Sequence, residues 1–324
     1  MRFASQGGLM EVVLETDSLT KVYKSPIAQR RVRAVDSLSL QVFRGEIFGF
    51  LGPNGAGKTT AIKMFTTLLT PTSGEASILG RPLSDISLKK RIGFLPEQPY
   101  FYPYLSGAEL LDFCAQIFGI SSTERRERIG RLLKIVGLEG AGRRRVSTYS
   151  KGMLQRIGLA QALVNDPEFV ILDEPLTGLD PVGRKDIRDV ILGMKEKGRT
   201  VFFSSHILPD VEMICDRVGI LIGGRLISVG RLDELLSGEV ESIEVTAEGL
   251  PGKELRLLEE KADRVLASGD RVMLEMSSPD RACELEKAIL DCGGRVISII
   301  PRKKTLEELF IKEIGAYRQE THWE

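Results

Sequence analysis

One short stretch, "GPNGAGKTT" from Gly52 to Thr60, constrains this chain more than any other. It follows the apolar run "EIFGFL" and leads into "TAIKMFTTLL", whose apolar spacing is helical. Gly52, Gly55 and Gly57 allow positive φ and let backbone N–H groups wrap an anion without side-chain clash. The spacing is Gly-x-x-x-x-Gly-Lys-Thr in a strand–loop–helix setting, which is that of a phosphate-binding loop. Four fixed positions would coincide by chance in a chain of this length on the order of one time in a hundred. Gly52, Pro53, Asn54, Gly55, Ala56, Gly57, Lys58, Thr59 and Thr60 are therefore expected to cradle a nucleoside triphosphate. Lys58 is placed to reach the β- and γ-phosphates, and the Thr59 hydroxyl to bind Mg²⁺.

"FVILDEP" supplies a second part. Four apolar residues drive a strand through the core and deliver Asp173 and Glu174 to its C-terminal end, where α/β proteins bind ligands. Asp173 can hold Mg²⁺ through its water shell, and Glu174 can orient or deprotonate an attacking water. "TVFFSSH" ends at His206, one of two histidines in the chain. If its strand neighbours that of Glu174, the imidazole sits on the same edge and can couple a γ-phosphate to that carboxylate.

The wider pattern is α/β. "EIFGFLG", "RIGFLPE", "FVILDEP", "TVFFSSH" and "RVGILIGG" are continuous apolar runs, the mark of strands buried on both faces of a mostly parallel sheet. "EVVLE" and "SLSLQV" alternate instead, as antiparallel strands with one wet face do. Between about residues 99 and 165 strand signals give way to helical ones, opened by a capping box at Ser106 and Glu109. These features predict one domain over 11–230 with a helical subdomain at about 99–165. The texture changes over 231–324, where candidate strands and helices follow the order β-α-β-β-α-β, that of a small ferredoxin-like sandwich. A closing amphipathic helix, "TLEELFIKEIGAYRQ", completes this second domain, which is read equally as a packing module or a regulatory one.

Composition narrows the partners. The 45 basic residues balance 45 acidic ones, so no nucleic acid partner is expected. The four cysteines lack metal-type spacing and suit inert thiols in a reducing compartment. No run of 18 apolar residues is present, and "MRFASQGGL" lacks the apolar stretch of a signal peptide.

In order, "GPNGAGKTT", "LPEQP", "YSKGMLQR", "VILDEP", "TGLD" and "SSH" resemble the motif series of ATP-binding cassette (ABC) proteins over about residues 11–230. That resemblance implies a P-loop ATPase using ATP and Mg²⁺. It makes Tyr23 the aromatic that stacks on adenine and Gln98 the residue that contacts Mg²⁺ and senses the γ-phosphate. It makes Asp180 the carboxylate of the "TGLD" loop and His206 the switch histidine. "YSKGM" is similar to the family signature Leu-Ser-Gly-Gly-Gln, with Ser150 and Gly152 retained and Lys151 and Met153 departing from it. In the family the signature binds the γ-phosphate held by a second cassette, so Ser150, Lys151 and Gly152 are expected to serve a partner copy. The resemblance thus implies a homodimer, or a pair with a paralogous cassette, driving a separate integral membrane permease from the cytoplasmic face. "TYSKGMLQR" and the terminal "TLEELFIKEIG" look most like export-type subunits. The alternative is a non-transport ABC ATPase of translation, repair or cluster assembly; a single cassette without sustained heptads argues against it.

Overall fold

The computed structural model describes residues 11–24, 31–236, 242–250, 258, 262–277, 279–302 and 304–321. They fall into two compact units, Met1–Leu232 and Asp233–Glu324.

In the first unit, β1 (Val12–Lys24) and β2 (Arg31–Phe43) form a long antiparallel pair. Their alternating pattern buries Leu14, Leu19, Leu38, Leu40 and Val42 on one face. β3 (Ile47–Leu51) is buried along its whole length and runs into the glycine-rich loop and α1 (Lys58–Phe65). Two strands absent from the apolar-run reading follow, β4 (Ser73–Ile78) and β5 (Arg81–Pro82). They extend the antiparallel sheet to the order β2-β1-β4-β5. β4 is mostly solvent-facing and β5 has only two residues, so neither needs an apolar run.

After β6 (Ile92–Leu95) come three helices: α2 (Gly107–Ile117), α3 (Ser122–Ile135) and α4 (Lys151–Ala162). The Ser106–Glu109 capping box forms at the start of α2 in both directions. The chain returns to the sheet as β7 (Phe169–Leu172), then α5 (Pro181–Glu196), β8 (Thr200–Ser205), α6 (Leu208–Ile214), β9 (Arg217–Ile222) and β10 (Arg225–Arg231). The six-stranded sheet has the order β10-β9-β3-β8-β7-β6. Every pairing in it is parallel except β10 with β9. β10 is a half-exposed antiparallel edge, which again leaves no continuous apolar run.

α1 is buried in one core with residues of both sheets. The centre of that core is aromatic: Phe202 stacks on Phe48 at 5.6 Å, tilts against Phe50 at 5.3 Å and meets the edge of Phe65 at 5.6 Å. This cluster joins β8, β3 and α1, and so fixes the loop between β3 and α1 relative to the end of β8.

The second unit contains β11 (Ser242–Glu248), β12 (Arg264–Ser268), β13 (Arg271–Met276), α7 (Pro279–Asp291), β14 (Arg295–Arg302) and α8 (Leu306–Thr321). Its antiparallel sheet has the order β12-β13-β11-β14. The first and third strands lie centrally, as a β-α-β-β-α-β sandwich requires. Val245, Ala247, Val272, Leu274 and Met276 face Leu285 and Ile289 of α7 in its core. The helix expected at "GKELRLLEEK" lies outside the described residues except Leu258, which is helical and belongs to that core. No helix of the described residues is long and apolar enough to cross a membrane.

Phe202→Ala removes the shared centre of the aromatic cluster and should destabilise the first unit by about 3–5 kcal/mol. Denaturant unfolding followed by circular dichroism measures this; a loss under about 1 kcal/mol would show that the cluster does not carry the core.

Candidate functional site

The glycine-rich loop is shaped by backbone contacts. Gly57, the residue before α1, has φ 105°. A Cβ there would fall 2.2 Å from the carbonyl oxygen of Ala34, so β2 leaves room for glycine alone. No side chain caps α1. Its first-turn N–H groups and the positive end of the helix dipole are left to an anion, which is what a phosphate needs. Lys58 is 6% exposed. Its ammonium donates to the carbonyl oxygens of Gly52 (2.6 Å) and Pro53 (3.3 Å) and lies 3.2 Å from Glu174 Oε1.

Glu174 comes from the end of β7, two strands from β3, and is 7% exposed. Its φ of 51° is a left-handed conformation that a non-glycine residue adopts at a cost of about 1–2 kcal/mol. The strain is held by its own N–H, which donates to Ser204 Oγ at 2.9 Å. The carboxylate is then fixed from three sides. Oε1 faces Lys58, and Oε2 accepts from Thr177 Oγ1 at 2.9 Å and lies 2.8 Å from His206 Nδ1. β8 pairs with β7 in parallel, so His206 and Glu174 do share one sheet edge.

Asp173, 1% exposed, accepts a hydrogen bond from Ser204 Oγ at 2.6 Å. Burial pushes its carboxyl above the ordinary aspartate range, and the nearby charges of Glu97 and Glu174 add to this; hydrogen bonds from Ser204 and Thr59 work against it. A buried carboxylate beside a hydroxyl, with further negative charge close by, is a hard-oxygen setting suited to Mg²⁺. Among the described residues no group of three or more His, Cys, Asp or Glu side chains could hold a metal on its own. The residues present fit Mg²⁺ as an ion that Thr59 and Asp173 would hold together with phosphate oxygens, its usual mode in nucleotide sites.

A second, separate cluster carries the remaining motif residues. Ser150 caps α4 by accepting from the N–H of Met153 at 3.3 Å, and Asp180 caps α5 by accepting from the N–H of Gly183 at 2.9 Å. Lys151 folds back over the "TGLD" turn: a Cβ on Gly178, whose φ is 73°, would fall 1.8 Å from Lys151 Nζ. Ser150, Lys151 and Asp180 are exposed. No hydrogen bond or ion pair among the described residues joins Ser150, Lys151 or Asp180 to Lys58, Asp173, Glu174 or His206, although Thr177 at the start of the "TGLD" turn bonds the Glu174 carboxylate. Tyr23 is half-exposed opposite Val32, two residues along β2 from Ala34, which abuts Gly57. Gln98 is exposed in the bend after β6, and its side chain makes no hydrogen bond among the described residues. Ser204 and Thr177 were not singled out by sequence, although both lie inside the quoted "SSH" and "TGLD" motifs.

This loop, its uncapped helix and the carboxylate pair at the end of β7 define a P-loop nucleoside triphosphatase. The sequence profile of the ABC transporter family matches residues 35–177. An uncharacterised ABC transporter ATP-binding protein of Nostoc sp. is 43% identical over 305 residues, 93% of this chain and 90% of that protein. The bacitracin transport ATP-binding protein BcrA of Bacillus licheniformis is 37% identical over 94% of this chain and 98% of its own length. Among solved structures, the dimeric post-hydrolysis state of the ATP-binding cassette MJ0796, bound to ADP and Pi, superposes with a TM-score of 0.63. It is 27% identical and covers 68% of this chain and 98% of its own. The chain belongs to the ABC transporter ATP-binding proteins: it is the subunit that binds ATP with Mg²⁺ and hydrolyses it.

Ser204 bonds both carboxylate residues, so its loss should cost more than a surface hydroxyl. Ser204→Ala should lower ATP turnover about 10–100-fold with the fold intact. Removing a bond that holds the Asp173 pKa down should also move the acid limb of the pH profile to higher pH. Wild-type turnover with an unmoved acid limb would show that Ser204 does not position Asp173.

Proposed function

We propose that this chain is the motor of an exporter, in which two cassettes pack head to tail and close two ATP molecules between them. The observation that carries this reading is the division of the motif residues into two groups. The phosphate loop, Asp173, Glu174 and His206 form one group around the buried side chains of Lys58, Asp173 and Glu174; the exposed Ser150, Lys151 and Asp180 and the half-buried Gly152 make no hydrogen bond or ion pair to those side chains among the described residues. A γ-phosphate on the loop of one copy would be met by the Ser150 hydroxyl and the backbone of Gly152 at the α4 tip of the other. Tyr23, beside the loop on the antiparallel sheet, would stack on adenine.

In this reading Glu174 accepts a proton from the water that attacks the γ-phosphorus, and the bond to the ADP oxygen breaks to release phosphate. Thr177 and His206 hold the carboxylate in place, and Lys58 balances charge on the phosphates. Mg²⁺, held by Thr59 and Asp173 with Gln98 approaching it, would neutralise charge on the β- and γ-oxygens. Loss of the γ-phosphate removes the group bonded from both sides, and the pair opens.

The stroke needs a receiver. Directly after Gln98, Tyr100, Tyr102, Tyr104 and Phe113 are exposed, with Tyr102 5.8 Å from Tyr104 and 5.7 Å edge-on to Phe113. An exposed aromatic patch of this kind marks an interaction surface. Its position beside the residue that senses the nucleotide suits a cytoplasmic segment of a separate permease. The bacitracin transport relative supports a role in transport, and the export-type tail supports its direction.

Glu174→Gln keeps the size of the side chain and one acceptor oxygen for Thr177 and His206, but loses the charge facing Lys58 and cannot take the proton. Turnover should fall by about 10²–10⁴-fold, and size exclusion with ATP should show a persistent dimer. Normal hydrolysis in this variant would remove Glu174 as the base.

A further inference from the structure

We infer that the groove between α3, α4 and α5 binds a single-chain amphipathic anion of fatty-acid type, and that its occupation restrains the helical segment against the sheet core. The groove holds a cavity of about 430 Å³, within the range of small-molecule sites. Leu163, Ile187 and Met194 are buried along it, and Ile135 and Val190 line it half-exposed or more. An adjoining hollow of about 210 Å³ shares Ile135, Leu163, Lys197 and Arg199 and adds Arg128 and Arg131.

The charge around this apolar floor is unbalanced. Arg156 pairs with Asp186 and Arg199 with Asp166. Arg128 is engaged by Glu124 and the carbonyl oxygen of Val164. Arg131, Lys134 and Lys197 make no ion pair among the described residues, and Asp189 is the one lining carboxylate there without a pair. Three cations against one carboxylate, above an aliphatic floor, complement a ligand with an anionic head and an apolar tail.

Gly193 gives an independent reason to regard the space as kept open. It lies inside α5, where glycine weakens a helix, and its φ is not positive. A Cβ built there meets no atom within 4 Å, so neither backbone conformation nor crowding requires glycine. What its lack of a side chain preserves is the cavity. The walls come from different parts of the first unit: Lys134 ends α3 in the helical segment, whereas Lys197 closes α5 and leads into β8 of the core sheet. An anion held by both would tie one to the other.

Binding does not depend on the function proposed above; the effect on turnover does. The test is calorimetric titration of the full chain with sodium decanoate, decyltrimethylammonium and inorganic phosphate, each below any micellar concentration. One saturable decanoate site per chain is expected, with neither the cationic amphiphile nor phosphate competing for it. Lys134→Glu with Lys197→Glu, and separately Gly193→Leu, should each weaken decanoate at least tenfold and leave ATP turnover without decanoate unchanged. Decanoate should slow wild-type turnover severalfold and spare the variants. Absence of a saturable site, equal binding of the cationic amphiphile or of phosphate, or unchanged affinity in both variants would overturn the site. Binding with unaltered turnover would overturn the restraint. A wild type that hydrolyses no ATP would count against the motor, and the binding arms would stand apart from it.

Discussion

The buried ion pair between Lys58 and Glu174 is the interaction around which the rest of the site is arranged. It joins the phosphate loop after β3 to the end of β7, two strands that do not touch. β8 lies between them, and the residues at its end hold the β7 side: Ser204 bonds the Asp173 carboxylate and the Glu174 backbone, and His206, just past the strand, meets the Glu174 side chain. A buried pair is a poor source of net stability, because desolvation offsets much of the attraction. Its value lies in geometry. Removing either partner leaves a charge stranded, which ties the conformation of the loop to that of the strained Glu174 backbone.

The aromatic cluster on Phe202 explains how this arrangement tolerates strain. Phe48, Phe50 and Phe202 sit on β3 and β8 directly below the site, and Phe65 anchors the far end of α1 to them. Rigid strands under the loop and under Ser204 hold both ends of the hydrogen-bond chain, and the positive φ of Glu174 persists because its surroundings fix it from several directions.

Much of this is legible in the amino-acid sequence. The loop sequence and "FVILDEP" encode their chemistry locally, since consecutive residues set both the turn and the strand end. The central strands β3, β7, β8 and β9 are legible for a related reason, as burial on both faces leaves an unbroken apolar run, whereas β6 at the sheet edge is apolar but only half-buried on alternate residues. β4, β5 and β10 escape that criterion because β4 mostly faces solvent, β5 has two residues and β10 is half-exposed at an edge. Ser204 and Thr177 escaped for a different reason: a small hydroxyl gains its role only from what the fold brings opposite it. Lys151 shows the same limit. The structure lays its side chain over Gly178 of the neighbouring turn, where it links the α4 tip to the loop of Asp180.

The proposed head-to-tail pairing makes a definite physical claim, namely that a single copy would hold two half-sites and no complete one. ATP turnover per chain, measured across a wide range of protein concentration, tests this most directly. It should rise with concentration as pairs form and then reach a plateau. Turnover per chain that stays constant down to concentrations where only single copies exist would contradict the account.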